Sequence, residues 1–282
     1  MGTIREIDAK TIEDTVYELA LEAGYQLPKD VKDALEEWSI KEESPIGKGV
    51  LQDILKNISI ATEGEFPLCQ DTGLAILFID IGQDVHIYGS GLTESVNKGI
   101  ERAYKDGFLR KSTCHPFTRA NYGNNLPPVI HTSIVPGDKI KIIFDAKGGG
   151  SESMSKVEML KPADGKDGMM NKVVEWVESA GPNPCPPIIV GIGLGSDFER
   201  SAILAKKATI MNIGERNPDS DLAEVEEELL HRINNLGIGP AGLGGRCTAL
   251  DVHVIMEPCH IATFPMAINI QCWVCRHKEA II

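Results

Sequence analysis

Pro67-Leu68-Cys69-Gln70-Asp71-Thr72-Gly73-Leu74-Ala75-Ile76-Leu77-Phe78-Ile79 is where this chain changes character. The first half of the stretch is a turn-rich loop with a thiol, an amide and a carboxylate in consecutive positions. The second half is a continuous apolar run of strand length. A turn in which Asp71 bonds its own backbone accounts for the carboxylate but gives Gln70 and the Cys69 thiol nothing to do.

Before this stretch the periodicity is helical. Thr11 is expected to cap a helix with Asp14 three residues on, with Ile12, Val16, Leu19 and Ala20 in one stripe that ends at Gly24. Pro28 to Ile40 places Val31, Leu35 and Trp38 at helical spacing. Ser44-Pro45 opens a third helix with Ile46, Val50, Ile54 and Ile58 facing inward and Gly64 beyond its end.

After it, strands and helices alternate. Thr93 to Asp106 is read as a helix stopped by Gly107. Val129–Val135 and Lys139–Phe144 are read as strands joined in a hairpin at Pro136-Gly137-Asp138. Helices follow at Asp167–Ala180, Phe198–Ala208 and from an Asp221 cap through Leu222, Val225, Leu229 and Ile233. Strands are expected at Ile188–Ile192 and Leu250–Met256. The fold class is therefore mixed α/β, a helical N-terminal region packed on a mixed α/β body. No repeat or low-complexity linker interrupts it. Residues 1–282 are read as one domain with a helical subregion at about 1–64, the shift near Gly64 being the best candidate boundary.

Composition narrows the function. A net charge of -13 repels nucleic acid, and the densest basic stretch, Arg276-His277-Lys278, is too short to make a groove. The start, Met1-Gly2-Thr3-Ile4-Arg5-Glu6, has no apolar signal core, and no apolar run approaches the ~18 residues of a membrane span. Seven cysteines is an odd number, and a chain this long needs no disulfide staples. Reduced thiols in a cytoplasm are expected.

Two further cysteines share the setting of Cys69: Asn183-Pro184-Cys185-Pro186-Pro187 and Asn269-Ile270-Gln271-Cys272-Trp273. All three are flanked by turn-forming or polar residues. Three thiolates from distant parts of a chain suit a [4Fe-4S] cluster with one iron left open as a Lewis acid. Ala146-Lys147-Gly148-Gly149-Gly150-Ser151-Glu152 follows a strand, and its glycines allow backbone N–H groups close to an anion, a cradle for a carboxylate. Gly191-Ile192-Gly193-Leu194-Gly195 lacks the dinucleotide spacing and is read as a tight strand-to-helix turn. Gly239 to Gly245 is read as close packing.

A competing constellation lies at the C-terminus, where Cys259-His260, Cys272, Cys275 and His277 offer four ligands for a structural zinc ion. It leaves Cys69 and Cys185 unexplained. Cys114 and Cys247 need be no more than small buried or half-buried thiols. Arg110 is either a solvated surface residue or a bidentate partner for a carboxylate.

Taken together, the chain resembles the class I fumarases, the iron-sulfur hydro-lyases that include L(+)-tartrate dehydratases. The marks are Cys69-Gln70-Asp71-Thr72-Gly73, Asn125-Leu126-Pro127, Ala146 to Ser151, Cys185-Pro186-Pro187, and His260 twelve residues before Cys272. The resemblance covers essentially the whole chain. It implies that Cys69, Cys185 and Cys272 hold a [4Fe-4S] cluster. It also implies that Gln70, Asp71, Arg110, Gly149 and Gly150, with Lys147 beside them, contact a fumarate or malate dicarboxylate. Asp71 and His260 are the catalytic candidates it points to. The Cys-Trp-x-x-Arg form at Cys272 to Arg276 looks like the two-subunit branch, in which Cys275 is not a ligand. Single-chain members continue into a second domain with a Ser-x-x-Thr-Thr-x-Gly-Arg motif, absent here. The chain is therefore expected to be an α subunit whose β subunit supplies the proton-abstracting base, with no nucleic acid or membrane as partner. The reaction expected is reversible hydration of fumarate to L-malate, with L(+)-tartrate dehydration as the alternative. A non-catalytic zinc- or cluster-bearing interaction subunit is the reading from a different class.

Overall fold

The computed structural model describes residues 4–64 and 66–282. Met1, Gly2 and Thr3, part of the stretch read for a signal core, lie outside them. The elements begin with β1 (Arg5–Asp8), α1 (Ala9–Tyr25), α2 (Lys29–Lys41), α3 (Pro45–Thr62), β2 (Leu74–Gly82), β3 (Val85–Tyr88) and α4 (Leu92–Asp106). Then come β4 (Val129–Val135), β5 (Ile140–Lys147), the single turn α5 (Gly149–Glu152), β6 (Lys156–Leu160), α6 (Gly165–Ala180) and β7 (Ile188–Gly195). Last are α7 (Phe198–Ala208), α8 (Ser220–Asn234), β8 (Ala249–Glu257), β9 (Phe264–Gln271) and β10 (His277–Ile281). This is a mixed α/β fold. No described helix is long and apolar enough to cross a membrane. The chain divides into two compact units, residues 1–28, 58–148 and 276–282 in one and 29–57 and 149–275 in the other, with the cut inside α3.

In the first unit a four-stranded sheet runs β10-β5-β2-β4, and a two-stranded one pairs β1 with β3. The apolar stripe of α1 (Ile12, Val16, Leu19, Ala20) packs with Val96 and Ile100 of α4 against Leu77 and Ile79 of β2 and Ile142 and Phe144 of β5. Gly99 lets α4 lie against α1, since a Cβ there would sit 2.6 Å from the Glu13 carbonyl oxygen. Two expectations change here. Asp8, not Thr11, caps α1, accepting the Lys10 N–H at 2.8 Å, because β1 feeds straight into the helix. Strands β4 and β5 form no hairpin. β2 lies between them, parallel to β4 and antiparallel to β5. The physical reason is its composition: β2 is apolar on both faces and so takes a central position. Pro136-Gly137-Asp138 instead rounds the end of β2, with the Gly82 N–H on the Lys139 carbonyl.

In the second unit the order is β6-β9-β7-β8, with β7 parallel to β8 and antiparallel to β9. Every residue of β7 is buried. Val173, Val177, Leu229, Ile233, Val252 and Ile268 share its core. Gly191 and Gly193 prove to be strand, not turn. A Cβ on them would lie 2.2 Å from the Ala205 oxygen and 2.0 Å from the Ser201 oxygen, so they allow α7 to rest on the strand. The edge strand β8 is blunted by side chains: Glu226 accepts the Val254 N–H at 2.8 Å and Asn234 the Ala249 N–H at 2.8 Å. Asp219, two residues before the expected Asp221, caps α8 by accepting from Asp221 and Leu222. Ile46 is exposed, and Leu51 with Ile54 forms the buried face of α3 in its place.

Glu42, fully buried between α2 and α3, accepts N–H groups of Glu43 and Ser44 nearby and of Arg246 and Cys247 far along the chain. Burial pushes its pKa up, but the four N–H donors prevail and hold it below the usual glutamate range. A depressed folded-state pKa stabilises above the unfolded value. That contribution is expected to persist at neutral pH and to be lost as the pH falls below about 4.3. Glu42→Ala orphans several buried donors and should cost about 3 kcal/mol or more, read from denaturant unfolding. An unchanged midpoint would show that Glu42 is not a tie.

Candidate functional site

In the first unit the topology gathers the candidate residues at one end of the sheet. β2 and the parallel β4 begin there, β5 ends there and β10 begins there. The Cys69–Gly73 loop feeds β2, Lys147 closes β5 opposite Leu74, and the segment carrying Arg110 feeds β4. Cys69 is half-buried, and its Sγ lies 2.9 Å from the Gln70 Oε1. Asp71 accepts the Gly73 N–H at 3.1 Å, which turns the loop into the strand. The Arg110 side chain is exposed, while its carbonyl accepts the Thr72 hydroxyl at 2.8 Å. Lys147 is buried.

The brace between these loops is Asn125, the head of the Asn125-Leu126-Pro127 motif. It is fully buried in the left-handed region (φ 60°), where Asn is tolerated because its short side chain bonds locally. Its Oδ1 accepts the Ser112 N–H at 2.6 Å and its Nδ2 donates to the Gly73 carbonyl at 3.2 Å. One amide thus ties the Arg110–Ser112 backbone to the loop bearing Asp71. Asn125→Ala leaves the Ser112 N–H without its acceptor and the Gly73 carbonyl with the Tyr104 hydroxyl alone, and is expected to cost about 1–3 kcal/mol. Unaltered chemical denaturation in this variant would remove the brace.

Sequence reasoning missed Tyr104 and gave Arg276 no role at the site. Tyr104 is buried, and its hydroxyl reaches the carbonyls of Thr72 at 2.9 Å and Gly73 at 3.0 Å. Burial drives its pKa upward, the Arg276 charge draws it back, and Asp71 and Asp145 push it up again. That places Asp71, Asp145 and Arg276 within electrostatic reach of one phenol. Arg276 is itself buried and donates from Nη2 to the Ala146 carbonyl at 3.2 Å. Its signal in the sequence was the Cys-Trp-x-x-Arg form; for Tyr104 there was none beyond a helix face.

The second unit gathers its own set. Cys185 lies just before β7, and Cys272 just after β9. The two strands are antiparallel neighbours, with Ile189 opposite Gln271, so both thiols stand at the same end of the sheet. Cys185 is exposed in a left-handed conformation (φ 57°), a strain of roughly 1–2 kcal/mol for a residue with a Cβ. Gly149 and Gly150 open the single helical turn α5 rather than an open loop. Ser151 of that turn meets Gln271, Oγ to Oε1 at 3.4 Å, so Gly150 belongs to this end too. His260 does not. It is exposed in the turn before β9, and eight strand residues at about 3.3 Å each set it roughly 25 Å from Cys272.

The same strand removes the zinc alternative, because Cys259 and His260 stand at one end of β9 and Cys272 and Cys275 at the other. Cys275 is buried, its Sγ 3.5 Å from the Thr209 carbonyl. Burial and the nearby Glu42 push the Cys247 thiol pKa far up, as expected for an inert core thiol. No described cysteine is in a disulfide. Cys69 lies in one unit and Cys185 and Cys272 in the other, so neither unit alone holds a three-thiolate set. The donors fit an iron-sulfur group by chemistry: soft thiols, none fully buried, each in a loop at a strand end.

The sequence profile of the fumarate hydratase (Fumerase) family matches residues 13–281. A putative L(+)-tartrate dehydratase subunit alpha of Methanocaldococcus jannaschii is 46% identical over 268 residues, 93% of this chain and 94% of that one. The L(+)-tartrate dehydratase subunit alpha of Escherichia coli O157:H7 is 31% identical over 261 residues, 91% of this chain and 86% of its own. The same figures hold for the protein of that name in Shigella sonnei.

Proposed function

The chain belongs to the fumarate hydratase family, and we propose that it is the α subunit of a two-subunit, cytoplasmic hydro-lyase that reversibly hydrates fumarate to L-malate. The observation that carries this reading is the gathering of Cys69, Gln70, Asp71, Arg110 and Lys147 at one sheet end. Cys185, Cys272 and Gly150 share the end of the other.

Cys69, Cys185 and Cys272 would hold a [4Fe-4S] cluster. When bound, it supplies a Lewis acid for the hydroxyl at C2 of the diacid. Gln70, whose amide oxygen now faces the Cys69 thiol, would turn its NH₂ toward a thiolate. Arg110 pairs bidentately with one carboxylate, and its guanidinium has no ion pair among the described residues. Lys147 and the backbone of Gly149 and Gly150 take the other end of the dianion. Asp71, anchored by the Gly73 N–H, orients the diacid beside Cys69. The base for the C3 proton comes from the β subunit.

Dehydration of L(+)-tartrate is a second reading, favoured by the names of the similar proteins. It eliminates water from the same kind of 2-hydroxy diacid. Assaying cluster-loaded α with β on malate, fumarate and L(+)-tartrate decides between them by kcat/KM. Absence of turnover on all three would overturn the hydro-lyase reading. In the active complex, Arg110→Ala is expected to lower kcat/KM by roughly tenfold to a hundredfold, the worth of a hydrogen-bonded charge. Arg110→Lys keeps the charge, loses the fork and falls between. Iron content stays at the wild-type level in both. Wild-type kinetics in Arg110→Ala would take this residue out of the site.

A further inference from the structure

Residues 107–137 contain no Asp or Glu, in a chain with 41 acidic residues, yet they carry Arg110, Lys111 and Arg119. Within them, residues 112–122 form a finger held by its own bonds. The His115 N–H donates to the Ala120 carbonyl at 2.9 Å, the Arg119 N–H to the His115 carbonyl at 2.9 Å, and the Tyr122 N–H to the Thr113 carbonyl at 3.2 Å. Asn121 Nδ2 reaches the Lys111 carbonyl at 2.7 Å, and the His115 Nδ1 accepts the N–H groups of Phe117 and Thr118, each at 3.2 Å. Phe108, Arg119 and Asn125 all take the left-handed backbone region, three such non-glycine residues in one segment.

A segment ordered this way has already met its conformational cost. Even so, Phe117 at its tip is 91% exposed and Phe108 at its root 87%. A preformed element that leaves its largest apolar side chain in water gains by being covered. The root is bonded to the site: Thr72 holds the Arg110 carbonyl, and Asn125 joins Ser112 to Gly73.

We propose that this finger is the element on which the β subunit docks, with Phe117 seated in an apolar pocket of β and Arg119 and Lys111 paired with carboxylates at the pocket's rim. This rests on the two-subunit reading. Position and charge select that occupant. A chain seated on the finger arrives beside Arg110 and the Asp71 loop, where the reaction lacks a base. A second copy of this chain would bring only the same residues. A small dicarboxylate would use arginine but has no need of a bare phenyl ring.

The test measures the affinity of purified β for cluster-loaded α by calorimetry at low and high salt. The variants are Phe117→Ser and Arg119→Glu, neither of them in the catalytic set. Phe117→Ser is expected to weaken the complex by roughly tenfold to a hundredfold, the range of a buried aromatic anchor. Arg119→Glu should weaken it by about tenfold and flatten its salt dependence. Circular dichroism establishes folding, and Arg119→Glu carries the test should Phe117→Ser fail to fold. Sedimentation of α alone and binding of succinate are measured alongside. Unchanged α–β affinity in both variants overturns the proposal. So does a loss of α self-association, or of succinate binding, with β binding intact. Wild-type α that does not bind β at all overturns the two-subunit reading itself.

Discussion

Cys69→Ala, Cys185→Ala and Cys272→Ala are each expected to abolish iron and sulfide binding on anaerobic reconstitution, and with it turnover in the presence of β. Each thiol stands in a loop at a strand end, and the three-thiolate set proposed would have no spare donor to cover a loss. A Lewis acid that polarises the departing hydroxyl is worth several kcal/mol. At 1.36 kcal/mol per decade, turnover should fall by about 10³-fold or more. Cys275→Ala and Cys114→Ala are the controls. Cys275 is a buried thiol resting on the Thr209 carbonyl, so its loss is expected to cost about 1 kcal/mol of stability and no iron. Cys114 sits in the finger, bridged to Asn121, away from the sheet. A full complement of iron in Cys185→Ala, or stoichiometric zinc without iron in the wild type, would refute the assignment of these ligands.

The contrast between those thiols shows what was legible in the sequence. Motif chemistry was local, and so were helix faces: Ile12, Val16 and Leu19 repeat at helical spacing and are buried together on α1. The mixed α/β class followed from the alternation after Gly73. Capping residues slipped by two or three positions, to Asp8 and Asp219, because several side chains near each helix start are competent caps and the entering chain selects one. Strand neighbours were not legible. A Pro-Gly-Asp turn between two strands favours a hairpin, and only the apolar composition of β2 on both faces explains why it is inserted between them. The glycines of β7 misled in the same way. Their purpose is the backbone of α7, a partner many residues away. Tyr104 acts through bonds to the backbone of Thr72 and Gly73, which leave no mark in composition or spacing, and the Asn125-Leu126-Pro127 motif was visible without its role as a brace. The division into two units is equally hidden, since β10, at the far end of the chain, returns to pair with β5 in the first unit.

The 282-residue chain by itself is expected to be catalytically incomplete. Near Asp71 the buried groups are Tyr104, Arg276, Asp145 and Lys147. The phenol of Tyr104 is held far above neutrality and is occupied by two carbonyls, so it cannot take a proton from carbon. Arg276 carries a permanent charge and has no lone pair to offer. Gln70 is an amide. Lys147 is assigned to a carboxylate of the diacid and Asp145 is fully buried in β5, which leaves Asp71, whose carboxylate already turns the loop through the Gly73 N–H. An acid–base group contributes about 10²–10⁴-fold, so α alone should turn over at least a hundredfold more slowly than the α–β complex. A cluster with one uncovered iron should also be lost faster to oxygen in α alone than in the complex. The deciding measurement is kcat of cluster-loaded α shown by mass spectrometry to be free of β, set beside the same preparation after β is added. A rise of two orders of magnitude or more places the base on the partner. Turnover equal to that of the complex would mean that these residues hold the whole active site, with Asp71 then the carboxylate that takes the C3 proton.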